Sequence, residues 1–289
     1  MDFFLTALLQ GLCFSSIAIG IFISMKIFNI PDITTDGSYT TGGVVTAVLL
    51  PTDLPVSIIL PVVMAAGALA GSFTGLVHTK LKINPLLAGI LVMTGLYSIN
   101  LALLGRSNFP LLNYPTLFTS VRLLEDSNPN TLIILLAFVI LLVLVICYIL
   151  KTDFGIAMRA TGNSESMIRA LGVNTDRMKV IGLAIANALT ATSGFLISQF
   201  QGFTDINMGI GIVIVGLGSV IIAETFINWL NITSIVLSIV LVVFGAVIFQ
   251  LVLALTLSVG IDSTMLKLVT AIFVLLIVSL PRISFNRAA

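Results

Sequence analysis

Long apolar runs, each close to the length of one membrane crossing, constrain this sequence more than any other feature. At 1.5 Å per residue, about 20 residues make a helix that spans the roughly 30 Å hydrocarbon core of a bilayer. Only 9% of the residues are charged, against about a quarter in soluble domains, so the surrounding solvent must largely be lipid. The sequence therefore predicts an all-α polytopic membrane protein. We place long spanning segments near residues 4–25, 56–78, 85–104, 131–150, 179–199, 232–255 and 265–281.

Two further apolar runs, 37–50 and 209–223, are shorter and richer in glycine. Helices of this length would reach only about 21–23 Å, so we expect discontinuous or half-depth helices there. With them, the chain has about nine transmembrane segments, within a range of eight to ten. A short glycine-rich run followed by two long ones occurs at 37–104 and again at 209–281. This weak repeat predicts an inverted-repeat core of the kind common in transporters.

The distribution of Lys and Arg predicts the orientation of the chain, because cytoplasmic loops carry an excess of these residues. If 151–178 is cytoplasmic and there are nine crossings, ten of the thirteen Lys and Arg residues face the cytoplasm. Only Arg106, Arg122 and Lys267 then lie outside. The prediction is a single transmembrane domain, 1–289, with the N-terminus outside, the C-terminus inside and a cytoplasmic loop at 151–178.

The segment 105–130 is the largest external feature of this topology and holds three prolines, three aromatic residues and a mixed-charge end. It is equally well interpreted as a connector or as a landing surface for an external partner. The N-terminal run lacks the positive region and the cleavage site of a signal peptide, so we read it as a retained helix.

Several kinds of chemistry are missing from the sequence. There is no P-loop motif for nucleotide binding, and the single histidine, His78, excludes two-histidine metal sites and is better read as an interfacial residue. Cys13 and Cys147 lie within apolar runs and are interpreted as packing residues rather than a disulfide or metal pair. No serine has an evident base partner, and no basic run suggests nucleic acid. We therefore expect no catalytic residue, no metal site, no cofactor in this chain and no enzymatic activity.

Ion coupling is also poorly supported by the sequence. Ion-driven carriers usually keep ionisable residues within spanning helices, whereas the long runs here are almost free of charge. The acidic residues are expected at segment ends or in loops, so the energy for any transport would come from another subunit. These residues include Asp32, Asp36, Asp53, Asp205, Asp262 and Glu224.

The polar insert DFGIAMRATGNSESMIRALGVNTDR, 153–177, has the caps of short helices separated by breaks. Polar residues before a helix accept its first N–H groups, and glycine commonly follows its last residue. The predicted helices are 154–161 and 164–171, with a third entering the membrane. The predicted caps and stops are Asp153, Gly162, Asn163, Gly172 and Asn174 or Thr175.

The middle helix of the insert, 164–171, is about 12 Å long and would be marginal alone in water. Its apolar residues Met167, Ile168 and Leu171 fall on one face, while Glu165 and Arg169 complement the helix dipole. That face must pack on something. Either this protein's own membrane domain or a groove on a cytoplasmic partner would serve.

The stretch TDFGIAMRATGNSESMIRALGVNTDRMKVIGLAIANALTATSGFLIS, 152–198, resembles the loop of bacterial ABC importer permeases of the branched-chain amino acid and ribose type. Similar features are the glycine-rich IVIVGLGSVIIAE at 212–224 and the polar NIPDITTDGSYTTGG at 29–43. The matching positions are Gly155, Arg159, Ala160, Gly162, Asn163, Ala170, Leu171, Gly172 and Val173.

In that family the loop forms coupling helices that dock on an ATPase subunit. The resemblance therefore implies a docking role for Gly155, Arg159, Gly162, Asn163, Glu165, Arg169 and Gly172, to which we add the apolar face Met167, Ile168 and Leu171. Two positions depart from the family pattern. Met167 and Ile168 stand where an alanine-rich pair is common, which suggests an altered partner groove, and ITTDGS differs from the usual Asp-Leu-Ser, which leaves the solute class open.

The resemblance implies a permease subunit of an ATP-driven importer in the bacterial plasma membrane, with ATP and Mg²⁺ held by the partner ATPase. It further implies a homodimer and an extracellular binding protein or lipoprotein that delivers a small organic solute. Compact permeases of this length are associated with aromatic amino acids, and branched-chain ones are the other option. The rival interpretations are an autonomous channel or ion-coupled carrier, and a membrane scaffold.

Polar residues near the short helices are the candidates for a solute path. For each of them, helix capping or interhelical hydrogen bonding is the competing explanation. The candidates are Thr34, Thr35, Asp36, Ser38, Tyr39, Asn84, Thr94, Asn100 and Asn187.

Overall fold

A computed structural model of the chain describes residues 2–285 other than Asp53, Arg122, Leu123, Glu125, Ile261, Ser263 and Thr264. Within these residues the chain forms twelve α-helices, one π-helical turn, one 3-10 turn and two short strands. The α-helices are α1 (Asp2–Ile21), α2 (Thr34–Leu49), α3 (Val56–Lys80), α4 (Pro85–Leu104), α5 (Leu117–Ser120), α6 (Ser127–Lys151), α7 (Asp153–Asn163), α8 (Glu165–Ala170), α9 (Thr175–Gln201), α10 (Ile212–Trp229), α11 (Ile235–Ser258) and α12 (Leu266–Phe285). The other elements are the π-helical turn Phe22–Ile27, the 3-10 turn Leu50–Thr52, and strands β1 (Asn108–Pro110) and β2 (Phe203–Asp205).

Seven helices of the described chain are long and apolar enough to cross a membrane, namely α1, α3, α4, α6, α9, α10 and α11. The all-α membrane architecture is confirmed, whereas the count of nine crossings stays a prediction. The first of the two predicted short helices exists as α2, whose 16 residues reach about 24 Å. The second prediction, 209–223, was wrong in its bounds. Residues 206–211 form turns, and α10 then runs for 18 residues to Trp229.

Local capping explains where several of these helices begin and end. Asn84 accepts a hydrogen bond from the Leu86 N–H at the start of α4, and Pro85 occupies the first turn, where its missing N–H is not needed. Glycine in the left-handed region follows α4 at Gly105 (φ 67°) and α9 at Gly202 (φ 75°). His78 lies in the last turn of α3. Its Nδ1 bonds to the Ile83 carbonyl (2.8 Å) and so closes the turn into α4.

The helices α1 and α9 form the centre of the molecule and are the most buried of the seven. They run antiparallel and exchange two hydrogen bonds. Ser16 donates to the Leu189 carbonyl (2.8 Å), and Ser193 donates to the Cys13 carbonyl (2.9 Å). Because serine is small, the two helices can approach closely, and each serine hydroxyl donates to a backbone carbonyl of the other helix.

The contacts of the outer helices have the symmetry of an inverted repeat. Helix α3 packs on α9, and its counterpart α11 packs on α1. Helix α2 packs on α3, α4 and α9, while α10 packs on α11, α12 and α1. Because α1 and α9 are antiparallel, the units α1–α4 and α9–α12 are inverted relative to each other. The predicted repeat is therefore present, and it extends to include α1 and α9.

A two-stranded antiparallel ribbon links the segment after α4 to the segment after α9, with Phe109 opposite Thr204. The sequence did not predict these strands. The Leu111 N–H also donates to the Gly202 carbonyl (2.7 Å), so the first part of the 105–130 segment is tied to the rest of the protein. Arg122 and Glu125, from the mixed-charge end of that segment, lie outside the described residues.

Three glycines at four-residue intervals bring α3 against α9. A Cβ on Gly67 or Gly71 would collide with the carbonyls of Asn187 or Leu183, and one on Gly75 would meet Val180 Cα. In a membrane, where apolar side chains gain little by leaving lipid, such close backbone packing is a main source of helix association.

We expect Gly71→Ala to lower the stability of the protein by about 1–3 kcal/mol, because the methyl group overpacks the α3–α9 contact. Reversible unfolding in mixed micelles would measure the change. The control is Ala65→Leu, which adds a larger group on the exposed side of α3 and should leave stability nearly unchanged. Equal stability of both variants would contradict this account of the α3–α9 contact.

Candidate functional site

The polar insert folds into α7 and α8, but its helix ends differ from those predicted. Thr152, not Asp153, caps α7 by accepting a hydrogen bond from the Gly155 N–H (3.3 Å). Gly162 was predicted to end this helix, yet it lies inside α7. Glycine is required there because a Cβ would collide with the Ile27 carbonyl. Asn163 was predicted to cap the next helix but is the last residue of α7, and Ser164 precedes α8 instead.

The end of α8 agrees with the prediction. The helix spans only Glu165–Ala170, and Gly172 follows in the left-handed conformation (φ 85°). Asn174 then caps α9 by accepting a hydrogen bond from the Arg177 N–H (3.0 Å). These two residues therefore mark the break between α8 and α9.

An ion-pair cluster, which we call the Glu165 cluster, fastens α8 to α9. Glu165 accepts from Lys179 (2.6 Å) on α9 and from Arg169 (3.0 Å) on α8. Arg169 also bonds to the Thr175 hydroxyl (2.9 Å) and to Asp176 (3.2 Å). Sequence reasoning assigned these charges to the helix dipole and missed the cluster, because its α9 members lie 6 to 14 residues away along the chain.

The Glu165 cluster changes the acidity of its carboxyl group. The hydrogen bond from Lys179 holds the pKa of Glu165 below its ordinary value, with help from the charges of Lys179 and Arg169 and the Thr175 hydroxyl. Partial burial acts in the opposite direction. The carboxylate is therefore ionised throughout the physiological pH range.

The apolar face of α8 remains largely uncovered. Met167 is 63% exposed and Leu171 is 69% exposed, while Ile168 is half-buried. Of the two alternatives for this face, packing on the protein's own membrane domain is wrong for Met167 and Leu171. A short helix held rigidly by ion pairs, with its apolar residues outward, is suited to a groove on another protein.

Helix α7 contacts the π-helical turn that follows α1. Gly162 lies against the Ile27 carbonyl, and Asn29 donates from Nδ2 to the Gly162 carbonyl (3.2 Å). The other insert glycine, Gly155, packs on the end of α6 at Leu150. Arg159 is half-buried, and its Nε donates no hydrogen bond to any described residue. The predicted docking residues on α7 are thus mainly packing residues, with Asn163 exposed at the helix end, whereas those on α8 are more exposed.

A network of buried polar side chains lies where α2, α3 and α9 meet. Asn187 of α9 donates to Asp32 Oδ2 (2.7 Å) and accepts from the Ser38 hydroxyl (2.6 Å). Asp32 in turn accepts from the Thr34 N–H (2.9 Å) at the start of α2. The Thr34 hydroxyl pairs with that of Thr74 on α3 (2.7 Å). All five side chains are essentially inaccessible.

Asp36 joins the start of α2 to the start of α10. Its two carboxylate oxygens accept from the N–H groups of Gly211 and Val213, each at 2.9 Å. These N–H groups lie at the start of α10 and have no acceptor within the helix. The carboxylate supplies that acceptor, and its charge complements the helix dipole. Asp36 thereby links the two inverted halves.

The structure brings together five of the predicted solute-path residues, Thr34, Thr35, Asp36, Ser38 and Asn187. Tyr39 lies beside them, packed on Phe14. Two others lie apart, since Asn84 caps α4 and Thr94 is exposed and bonds to its own helix at Ile90. Asn100 reaches α2 by donating to the Gly37 carbonyl (3.5 Å).

The expectation that acidic residues lie in loops or at segment ends was incomplete. Asp32 and Asp36 are buried in the interior, and sequence reasoning did not select Asp32 as a site residue. Its signal was the spacing of Asp32 and Thr34, which is typical of a carboxylate that caps a following helix. Glu224 lies inside α10 and pairs with Lys26 (2.8 Å). Across the described residues, no three His, Cys, Asp or Glu side chains are grouped as metal ligands would be.

Comparison with known proteins decides the family. The family described as branched-chain amino acid transport system, permease component, matches residues 3–279. The chain belongs to this permease family. No solved structure matches the chain significantly.

Curated relatives agree with this assignment. A tyrosine transport system permease protein of Clostridioides difficile (strain R20291) is 37% identical over 95% of this chain and 90% of its own length. An uncharacterized protein of Rickettsia prowazekii (strain Madrid E) is 35% identical over 94% of this chain and 95% of its own. A ribose import permease protein of Haemophilus influenzae (strain ATCC 51907 / DSM 11121 / KW20 / Rd) is 25% identical over 78% and 69%.

Membership confirms several predictions. The chain is a multi-pass membrane protein and the permease component of a transport system. Its named relatives are transport permeases, so the prediction that it is not an enzyme is confirmed.

The lowered pKa of Glu165 predicts an acid-labile α8. A carboxyl whose folded pKa lies below its unfolded value, about 4.3, stabilises the fold above that value and ceases to do so as pH falls through the folded pKa. Hydrogen exchange in α8, corrected for intrinsic rates, should accelerate below about pH 4. In Glu165→Gln, exchange should already be fast at pH 7 and lose this acid step. An unchanged profile in the variant would contradict a holding role for the cluster.

Proposed function

We propose that this chain is the membrane subunit of an ATP-driven importer, and that α7 and α8 form its docking element for an ATPase subunit. The observation that carries the proposal is the exposed pair Met167 and Leu171 on a helix fixed by the Glu165 cluster. The partner ATPase would hold ATP and Mg²⁺. The insert 151–178 would lie in the cytoplasm.

The contacts of α7 suggest how movement of a docked ATPase would reach the interior. Gly162 meets the backbone at Ile27, and five residues later the chain reaches Asp32. Asp32 holds Asn187 and the start of α2, and the next acidic residue, Asp36, holds the start of α10. A displacement of α7 would therefore act on the start of α2 and the start of α10 through one continuous segment, 27–36. The permease would alternate between two conformations whose populations ATP and the loaded receptor shift.

The solute is proposed to be an amino acid, with an aromatic one favoured over a branched-chain one. Support comes from the tyrosine transport permease, which is 37% identical over nearly the whole chain, whereas the ribose permease is more distant at 25%. An extracellular binding protein or lipoprotein would deliver the solute, and the 105–130 segment is a proposed landing surface for it.

We further propose a bacterial plasma-membrane location with the N-terminus outside and the C-terminus in the cytoplasm, on the basis of the Lys and Arg distribution. Two copies would pair. The exposed side of α4 supports pairing because it carries the polar residues Thr94, Tyr97 and Ser98, which would be poorly solvated by lipid tails and better covered by a second copy or an aqueous path.

One observation favours an ion-coupled carrier as the second candidate. Asp32 and Asp36 are buried carboxylates, and intramembrane carboxylates often belong to ion pathways. The purified chain reconstituted without an ATPase distinguishes the two functions. Uptake of L-tyrosine driven by a sodium or proton gradient alone would favour the carrier, while uptake only with the ATPase and ATP would favour the importer.

Charged substitutions on the face of α8 test the docking element. We expect Met167→Glu and Leu171→Glu to reduce co-purification of the ATPase at least about tenfold, because each buries a carboxylate in an apolar contact. Leu112→Glu is the control, since Leu112 is 82% exposed and lies far from the insert, beside the ribbon. Normal ATPase binding by both α8 variants would refute the docking assignment.

A second substitution tests transmission rather than binding. Gly162→Ala should keep the ATPase bound, because Gly162 faces Ile27 rather than the exposed face of α8. The added methyl group should displace α7 from the segment 27–36 and lower the solute transported per ATP hydrolysed by about tenfold. In reconstituted vesicles, the solute transported and the ATP hydrolysed can both be measured. Normal coupling in this variant would show that the α7 contact does not transmit motion.

A further inference from the structure

Asn100, on α4, carries a buried acceptor that the rest of the described chain does not satisfy. Its side chain is fully buried, and its Oδ1 receives no hydrogen bond from any described residue. The amide orientation is supported by a long hydrogen bond from Nδ2 to the Gly37 carbonyl (3.5 Å), since the reversed amide would place two acceptors against each other. A buried acceptor without a donor is unfavourable, so this atom points to a ligand that donates.

Asn100 lines a small cavity between α2, α4 and the turns before α10. The cavity encloses about 20 Å³, enough for one group the size of a water molecule. Asp36 and Thr40 of α2 also line it. Its exposed lining residues are Tyr97 (46%) and Ile210 (50%), which place the opening between α4 and the start of α10.

The lining of this Asn100 cavity favours a cation that donates hydrogen bonds. An ammonium group has three donors and no acceptor, and it is close to a water molecule in size. The cavity offers it the amide oxygen of Asn100, the hydroxyl oxygen of Thr40 and the negative charge of Asp36. Asp36 is held in place by the Gly211 and Val213 N–H groups, so its position does not depend on a ligand.

We infer that the Asn100 cavity binds the ammonium group of an amino-acid solute as it passes through the permease. The inference rests on the proposed transport of an amino acid, and it adds which end of the solute this chain recognises. The volume excludes the rest of the molecule, so the carboxylate and side chain would remain outside the opening near Tyr97. Recognition of this kind would accept many amino acids and reject solutes that lack an amine.

The first measurement is uptake by the reconstituted complex of permease, ATPase and binding protein, with labelled L-tyrosine, L-phenylalanine, L-leucine and D-ribose as probes. ATP-driven uptake of at least one amino acid is expected. If D-ribose alone is taken up, the ammonium site is refuted while the importer function stands. If no probe is taken up while the ATPase fails to bind the permease, the proposed function fails as well.

The second measurement compares two substitutions of Asn100 in the same complex. Asn100→Thr keeps a hydroxyl oxygen as an acceptor at this position and removes the amide donor to Gly37, whereas Asn100→Leu removes both. We expect Asn100→Leu to lower amino-acid uptake per ATP hydrolysed about tenfold or more, as the loss of a hydrogen bond to a charged group does. We expect Asn100→Thr, which introduces no buried charge, to stay within about threefold of the natural chain.

Each other outcome overturns the inference. Equal loss in both variants would mean that the donor to Gly37 matters and that Asn100 is a structural residue. Normal uptake in both would mean that the cavity holds only a water molecule. Size-exclusion profiles and ATPase binding of each variant show whether the complex is assembled before uptake is compared.

Discussion

The need to satisfy backbone N–H groups away from water governs the interior of this permease. Helices α2 and α10 both begin among buried residues, and the first N–H groups of a helix have no partner within the helix itself. Asp32 supplies an acceptor at the start of α2, and Asp36 supplies two at the start of α10. The neighbouring hydrogen bonds follow from these two caps, since Asn187 and Ser38 complete the surroundings of Asp32. The two inverted halves are joined because a residue of one half caps a helix of the other.

The close glycine contacts between helices bring the polar capping residues within hydrogen-bonding distance of one another. Close backbone packing at Gly67 and Gly71 brings α3 onto α9. That closeness places Thr74 and Asn187 within reach of the segment before α2, where a bulkier contact would hold them apart. At the insert, Gly162 permits the same kind of approach between α7 and the turn after α1. Rigid backbone contacts therefore lead from α7 to the buried caps, and under the proposed docking of an ATPase they would provide the physical route for its movement.

Much of this fold could be predicted from apolar runs alone, because helix length and lipid thickness leave few options. The long helices, the insert and its stop at Gly172 were predicted close to their observed positions. Gly162 and Asn163 were not, because a glycine that ends a helix and one that allows a close contact look the same in sequence. The Glu165 cluster and the role of Asp36 were also missed, since their partners lie far along the chain. The strands β1 and β2 are three residues each, too short to show an alternating pattern.

The cap on α10 has a consequence for how the protein is made. Asp36 and the N–H of Gly211 are 175 residues apart in the chain. At a synthesis rate of roughly 5–20 residues per second, Asp36 is synthesised about 9–35 seconds before the first residues of the helix that it caps. During that interval α2 and Asp36 must be accommodated by lipid, water or the insertion machinery rather than by their final partner. The N-terminal half therefore reaches its final arrangement only after residues 211–213 have been made and have met Asp36.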